Sequence, residues 1–184
     1  FLHVSIPLSW PFYMVFSAFV IVGAVNAVNL TDGLDGLATS VTIPVALFFA
    51  SVATWWGYTQ LGIFSGAMLG GLLAFLLFNA HPAKTFMGDT GSLFLGGAVA
   101  GLAFAFDMPL ILIFVGIIYI IETLSDILQV TYFKLTHGKR IFKMAPIHHH
   151  FEMCGWSEMK ICGVFGLVSL LGSAVAFLCV LFGV

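Results

Sequence analysis

Charge is the scarcest property of this chain: only 8% of its 184 residues are Asp, Glu, Lys or Arg, whereas 61% are apolar and 20 are Phe. A soluble domain cannot dress its surface with so few charges, so the composition indicates an integral membrane protein. Cysteine is nearly absent as well. Cys154, Cys162 and Cys179 are odd in number and lack metal-ligand spacing, which supports neither a disulfide framework nor a zinc site. No basic segment precedes the first apolar run, so no signal peptide is expected, and the start at Phe1 rather than Met leads us to expect that the beginning lies elsewhere. Internal repeats and low-complexity tracts are missing too. Net charge is close to neutral, and no nucleic-acid partner is expected.

What is present in quantity is apolar sequence of membrane-crossing length. A helix needs about 20 mainly apolar residues to cross the hydrocarbon core, and backbone groups in lipid must be satisfied internally. The runs predict an all-α polytopic transmembrane bundle with six spans, at about 12–28, 37–56, 61–79, 92–106, 109–133 and 160–183. The whole of 1–184 reads as one transmembrane domain. Gly96, Gly97 and Gly101 in the short fourth span favour close helix packing. Trp10, Pro11, Trp55, Trp56, Gly57 and Tyr58 suit one interface, with a tight turn at Asp107, Met108 and Pro109 on the same side. Those connectors contain no Lys or Arg. Lys84, Lys134, Lys139, Arg140, Lys143 and Lys160 fall in or beside the opposite ones, so the positive-inside rule assigns the connectors 29–36, 80–91 and 134–159 to the cytoplasm and both chain ends to the outside.

Lipid solubility does not explain Asn26-Ala27-Val28-Asn29-Leu30-Thr31-Asp32-Gly33-Leu34-Asp35-Gly36-Leu37-Ala38. An ionisable group at bilayer depth costs roughly 2.5 to 3.5 kcal/mol on insertion scales, so Asp residues beside an apolar span suggest a functional site. A polar connector at the membrane surface is the plainer alternative. The second connector, from Asn79 to Ser92, contains Phe86-Met87-Gly88-Asp89-Thr90-Gly91-Ser92. There Gly88 and Gly91 allow close backbone approach to a ligand, and Thr90 or Ser92 can cap a helix whose amides suit a phosphate. Asp89 beside such a helix start is a plausible Mg²⁺ ligand, because Mg²⁺ takes one or two carboxylates and completes its shell with water and phosphate oxygens. A Gly-Asp turn that only caps a helix would look the same.

The last connector carries Met144-Ala145-Pro146-Ile147-His148-His149-His150-Phe151-Glu152. Three adjacent His cannot all point one way on a helix or a strand, so at most two share a ligand. Histidine can donate to a phosphate or move a proton near neutral pH, and this run follows Lys139, Arg140 and Lys143; a solvated cluster is the alternative. Within the fifth span Glu122, Asp126 and Gln129 share one helix face, which should look into the bundle or a water-filled cavity. That stripe is either a hydrogen-bonded seam or a site, with Gln129 nearest the cytoplasmic end.

These three motifs together resemble the phospho-N-acetylmuramoyl-pentapeptide transferase family, and the resemblance runs over essentially the whole chain. The Asp motifs are shared across the wider polyprenyl-phosphate N-acetylhexosamine-1-phosphate transferase superfamily, whereas the triple His with its flanking Pro and Phe-Glu points to the muramoyl-pentapeptide branch. The resemblance implies an enzyme of the bacterial inner (cytoplasmic) membrane with its active site on the cytoplasmic face. Such an enzyme uses Mg²⁺ to transfer phospho-N-acetylmuramoyl-pentapeptide from its UDP carrier to undecaprenyl phosphate, forming lipid I and UMP in peptidoglycan synthesis. It also implies ten helices, of which this chain supplies the last six, and a homodimer in the bilayer.

By the same resemblance Asp89 binds Mg²⁺, and Asp89, Asp32 and His148 are the catalytic residues. Gly33, Leu34, Asp35, Asn79 and Phe86 line the nucleotide pocket, Phe86 by stacking on uracil, and Asn29, Gln129, Ala145 and His149 border the rest of the substrate cleft. The family carries a further adjacent Asp pair upstream, and no Asp-Asp occurs here. The chain is therefore expected to be the C-terminal part of a longer protein. A related transferase using UDP-N-acetylglucosamine would keep the Asp motifs but not the His run. A secondary transporter would show paired repeats and broken helices near the midplane, whereas these motifs lie at span ends.

Overall fold

The computed structural model describes residues 9–183, and every regular element among them is helical. Four long helices come first: α1 (Trp10–Thr31), α2 (Leu37–Trp56), α3 (Thr59–Asn79) and α4 (Gly88–Ala105). A 3₁₀ turn (Pro109–Ile111) then leads into the short α5 (Leu112–Val115), followed by α6 (Ile117–Leu135), α7 (Ile147–Met153) and α8 (Glu158–Phe182). α2 is the centre of the bundle, packed on α3 and α8, while α1 packs on α4 and α6. Its buried face mixes small and branched residues with two rings: Ala38, Val41, Val45, Ala46, Phe48, Phe49, Val52 and Ala53. Polar links between helices are few and internal. Ser169 donates to the Val41 carbonyl at 2.8 Å, and the Thr42 and Tyr119 hydroxyls lie 2.8 Å apart. Such pairs hold helices together where lipid offers no hydrophobic drive between them.

The helical class is as expected, but the count of six spans is not. Four helices are long and apolar enough to cross a membrane (α1, α2, α3 and α8), which makes this a multi-pass membrane protein. A fifth span arises only if the pair Pro109–Val115 and Ile117–Leu135 counts as one, and that pair is bent by 82°. The bend falls at Gly116, where a Cβ would lie 2.6 Å from the Leu112 carbonyl oxygen. The short arm packs backbone-close on α8, since a Cβ on Gly172 would sit 2.4 Å from the Phe114 oxygen. The expected fourth span fails for a different reason: α4 begins at Gly88, and its first turns hold Asp89, Thr90 and Ser92 rather than apolar residues.

The connectors are shorter than 29–36 and 80–91, because α1 runs to Thr31 and α4 starts at Gly88; 134–159 contains α7 and the start of α8. Of the three glycines expected to pack helices, Gly96 does so, its missing side chain leaving room for the Val25 backbone, where a Cβ would come within 2.6 Å. At the end of the bundle remote from the Asp motifs, the rings of Trp56 and Tyr58 converge on Phe106 at 6.0 and 5.8 Å. The expected interface aromatics are thus partly a packed cluster.

Candidate active site

At the other end, the α1–α2 turn, the α3–α4 connector and the first turn of α8 enclose a cleft of about 460 Å³. Asn29, Asp32, Gly33, Leu34, Asp35, Asn79, Phe86 and Asp89, all expected from sequence, line it. Asp89 stands in the first turn of α4, where an acidic side chain complements the positive helix end. It is exposed, and Asn29 donates its Nδ2 to Asp89 Oδ1 at 3.0 Å and to Ser92 Oγ at 2.9 Å. Ser92 in turn donates to the Gly88 carbonyl at 3.1 Å, so it locks the first turn of α4 rather than capping it from outside. At Gly91 packing also requires glycine, since a Cβ there would strike Met87 at 2.5 Å.

Asp32 follows α1 directly, its N–H donating to the Asn29 carbonyl at 3.1 Å. Burial, and then the charge of Asp89, push its carboxyl up to about 6. A cation between the two carboxylates would reverse that shift. Two hard oxygen donors with room for water beside them are the donor set Mg²⁺ prefers, so the residues present fit the ion. Phe86 is 71% exposed and offers an open ring face beside the acidic floor.

Asp35 is held differently. Its Oδ2 accepts from Ala83 N–H at 2.9 Å and lies 3.1 Å from His81 Nδ1, which is also 3.4 Å from Glu158 Oε2. Glu158 in turn accepts the Asp35 N–H at 3.2 Å. This clasp joins the three segments that build the cleft. Sequence reasoning missed Glu158 and His81. Glu158 did carry a local signal, sitting just after Ser157, whose hydroxyl accepts from Lys160 N–H as an N-cap.

Other expected residues are brought near the cleft but are engaged elsewhere. Asn79 lines the wall, and its amide is also engaged inside the protein: it accepts from Thr39 at 2.7 Å and donates to the Thr85 carbonyl at 3.0 Å, shaping the connector that presents Phe86. Gln129 and Ala145 line a separate cavity of about 280 Å³ with Asp126, Lys134 and Arg140. The Gln129 carbonyl accepts from Ile141 and Phe142 N–H, both at 3.0 Å, and its amide donates to the Phe142 carbonyl at 2.9 Å. It folds the long connector onto α6. The His run diverges as geometry requires. His148 is buried against Glu122 at 2.9 Å, His149 lies 2.9 Å from Glu152, and His150 Nδ1 accepts from Lys143 N–H. His148 thus lies behind the cleft wall, under Gly33, and Glu122 is a seam residue of α6 that ties it there.

A sequence model described as glycosyl transferase family 4 matches residues 1–107, the part that contains both Asp motifs. The chain belongs to glycosyl transferase family 4. Among curated proteins, it is 61% identical over 166 residues to a phospho-N-acetylmuramoyl-pentapeptide-transferase of Clostridium perfringens strain 13, covering 90% of this chain and 52% of that one. Proteins of the same name match at 57% in Clostridium acetobutylicum and 56% in Caldanaerobacter subterraneus, each over 90% of this chain and 52% of the relative. The glycosyl transferase family 4 chain spans about half the length of the curated relatives it matches.

Proposed function

We propose that this chain forms the nucleotide- and cation-binding part of an Mg²⁺-dependent sugar-1-phosphate transferase. It would transfer phospho-N-acetylmuramoyl-pentapeptide from UDP to undecaprenyl phosphate, with release of UMP and formation of lipid I. The observation that carries this reading is the convergence of Asp32 and Asp35, from the α1–α2 turn, with Phe86 and Asp89, from the α3–α4 connector and the start of α4, on one cleft at one end of an apolar bundle. The names of the relatives support it. Phosphoryl transfer asks a protein chiefly for positioning and for neutralisation of developing charge.

In this reading Asp89 and Asp32 would hold Mg²⁺, which would supply neutralisation of diphosphate charge; in the net reaction the sugar-bearing phosphorus exchanges its bond to the bridging oxygen, which leaves with UMP, for a bond to an oxygen of undecaprenyl phosphate. Asn29 fixes the Asp89 carboxylate. Phe86 takes the uracil ring, with Gly33, Leu34 and Asp35 around it, while the Asn79 amide holds the shape of that wall. Lys84, Lys134, Lys139, Arg140, Lys143 and Lys160 all lie toward the cleft end, so the positive-inside rule directs the cleft to the cytoplasmic face of a bacterial inner membrane, where a soluble nucleotide can meet a lipid phosphate. Because the relatives are about twice as long, we also propose that a preceding half completes the enzyme, and that the whole works as a homodimer in the bilayer.

The test is UMP release by the full-length protein in nanodiscs containing undecaprenyl phosphate, with and without Mg²⁺. UDP-N-acetylmuramoyl-pentapeptide should support turnover and UDP-N-acetylglucosamine should not. The reverse preference would assign the chain to the related acetylglucosamine enzymes.

A further inference from the structure

We propose that the buried pair Glu122–His148 is a strut behind the cleft: His148 holds the Asp32–Gly33–Leu34 turn in place without touching substrate, and Glu122 holds His148. The inference rests on the reading of that turn as part of a cation and nucleotide site. His148 is 1% exposed and Glu122 is fully buried. Among the described residues their contact, Nδ1 to Oε2 at 2.9 Å, is the single hydrogen bond either side chain makes, since His148 Nε2 and Glu122 Oε1 find no partner there. A group that itself met the substrate would have to reach the cleft. This one is sealed from it by backbone.

The sealing backbone is Gly33. A Cβ there would lie 2.3 Å from His148 Nε2 and 2.8 Å from Cε1. Gly33 is not among the glycines with positive φ, so its turn does not itself require glycine. The side chain is missing because the imidazole occupies its place. A rigid ring pressed on the middle of this turn fixes the residues on either side, Asp32 and Leu34, both in the cleft wall. The ring itself needs an anchor, because an imidazole rotates freely about its bonds unless one nitrogen is tied. The bond from Nδ1 to Glu122 ties one nitrogen, so the ring plane follows Glu122. A buried charged or polar pair is costly to keep in an apolar bundle, and removing one member leaves the other uncompensated. Its position under the turn gives that cost a purpose. Glu122 and His148 are positioning residues on this account, and His148 is not the catalytic group that the triple-His motif suggested.

A double-mutant cycle between Gly33 and His148 in the full-length protein tests the strut. Two readouts are taken: thermal unfolding in detergent, and Mn²⁺ binding by electron paramagnetic resonance with Mn²⁺ in place of Mg²⁺. Gly33→Ala should lower Tm and weaken Mn²⁺ binding about tenfold, the lower end of the range for losing a residue that orients a metal ligand. In a His148→Ala background, where the ring is gone, Gly33→Ala should add little to either loss. Equal effects of Gly33→Ala in both backgrounds overturn the strut. Turnover separates positioning from proton transfer. Glu122→Gln and His148→Asn should regain most of their rate as Mg²⁺ is raised, whereas a kcat loss that no Mg²⁺ concentration restores would show that His148 moves a proton itself and overturn the proposal. Failure of the unmutated protein to bind Mn²⁺ would overturn the reading of the cleft, and the Tm cycle would still decide the contact.

Discussion

Asn29 and Asp89, 60 residues apart in sequence, are joined by a 3.0 Å hydrogen bond that ties the last turn of α1 to the first turn of α4. The amide of Asn29 can donate to one carboxylate oxygen while the other stays open to the cleft. Asn29→Leu should therefore weaken Mg²⁺ affinity by about 10- to 100-fold, the usual cost of losing a partner that orients a metal ligand, with little loss of Tm. Calorimetric titration with Mn²⁺ and with Mg²⁺ checks both halves of the statement.

Asp89 itself should be far less replaceable. Asp89→Asn is nearly isosteric and keeps a group that can meet Asn29, but it removes a negative charge that the cation requires. In the full-length protein, turnover should fall by orders of magnitude while the detergent melting temperature stays close to that of the parent. Near-normal turnover at saturating Mg²⁺ would remove Asp89 from the metal site.

The raised carboxyl of Asp32 gives a pH dependence with a definite sign. Without a cation, the folded protein keeps a proton on Asp32 up to about pH 6, whereas the unfolded chain releases it near 3.8. The stability from this group is thus fully present below 3.8 and is lost as pH rises through about 6. Cation binding runs the other way, since the ligand must be deprotonated. Mn²⁺ affinity should rise from pH 5 to 7 with release of a proton, and Asp32→Asn should flatten that rise (the pH window following from the carboxyl at about 6). Affinity independent of pH across this window would remove Asp32 from the cation site.

Orientation is tested by single cysteines in a cysteine-free background. Positions 84 and 140 should resist an impermeant thiol reagent added outside intact cells and react after permeabilisation, while position 58 should react from outside. Labelling of 84 or 140 in intact cells would invert the topology.

If a preceding half completes the enzyme, as proposed above, the cleft should not work without it. Residues 1–184 alone in nanodiscs should release no UMP from UDP-N-acetylmuramoyl-pentapeptide, and co-expression with the N-terminal half of the Clostridium perfringens relative should restore turnover. Full activity of the chain by itself would mean that the site is complete as it stands.

Much of this protein follows from local sequence. Apolar runs of bilayer length force helices because lipid offers no other partner for backbone groups, and the one-sided Lys and Arg predict a direction that the labelling experiment tests. The Asp, Gly and Asn residues of the two motifs were legible as a site because they interrupt sequence that otherwise favours lipid. Packing decided the rest. Gly116 and the seat of Phe114 on Gly172 bend the expected fifth span by 82°, and no hydropathy window carries that information. Asn79 and Gln129 have the chemistry to bind a substrate, but each also makes hydrogen bonds inside the protein, Asn79 with Thr39 and Thr85 and Gln129 with Ile141 and Phe142. Glu158 reaches Asp35 from 123 residues away, and Glu122 reaches His148 from 26. Sequence determines which side chains are polar and where the chain must be helical, because those properties depend on near neighbours. Which polar groups face the cleft, which satisfy one another and which brace the wall from behind depends on how the helices meet, and only the tertiary structure decides that.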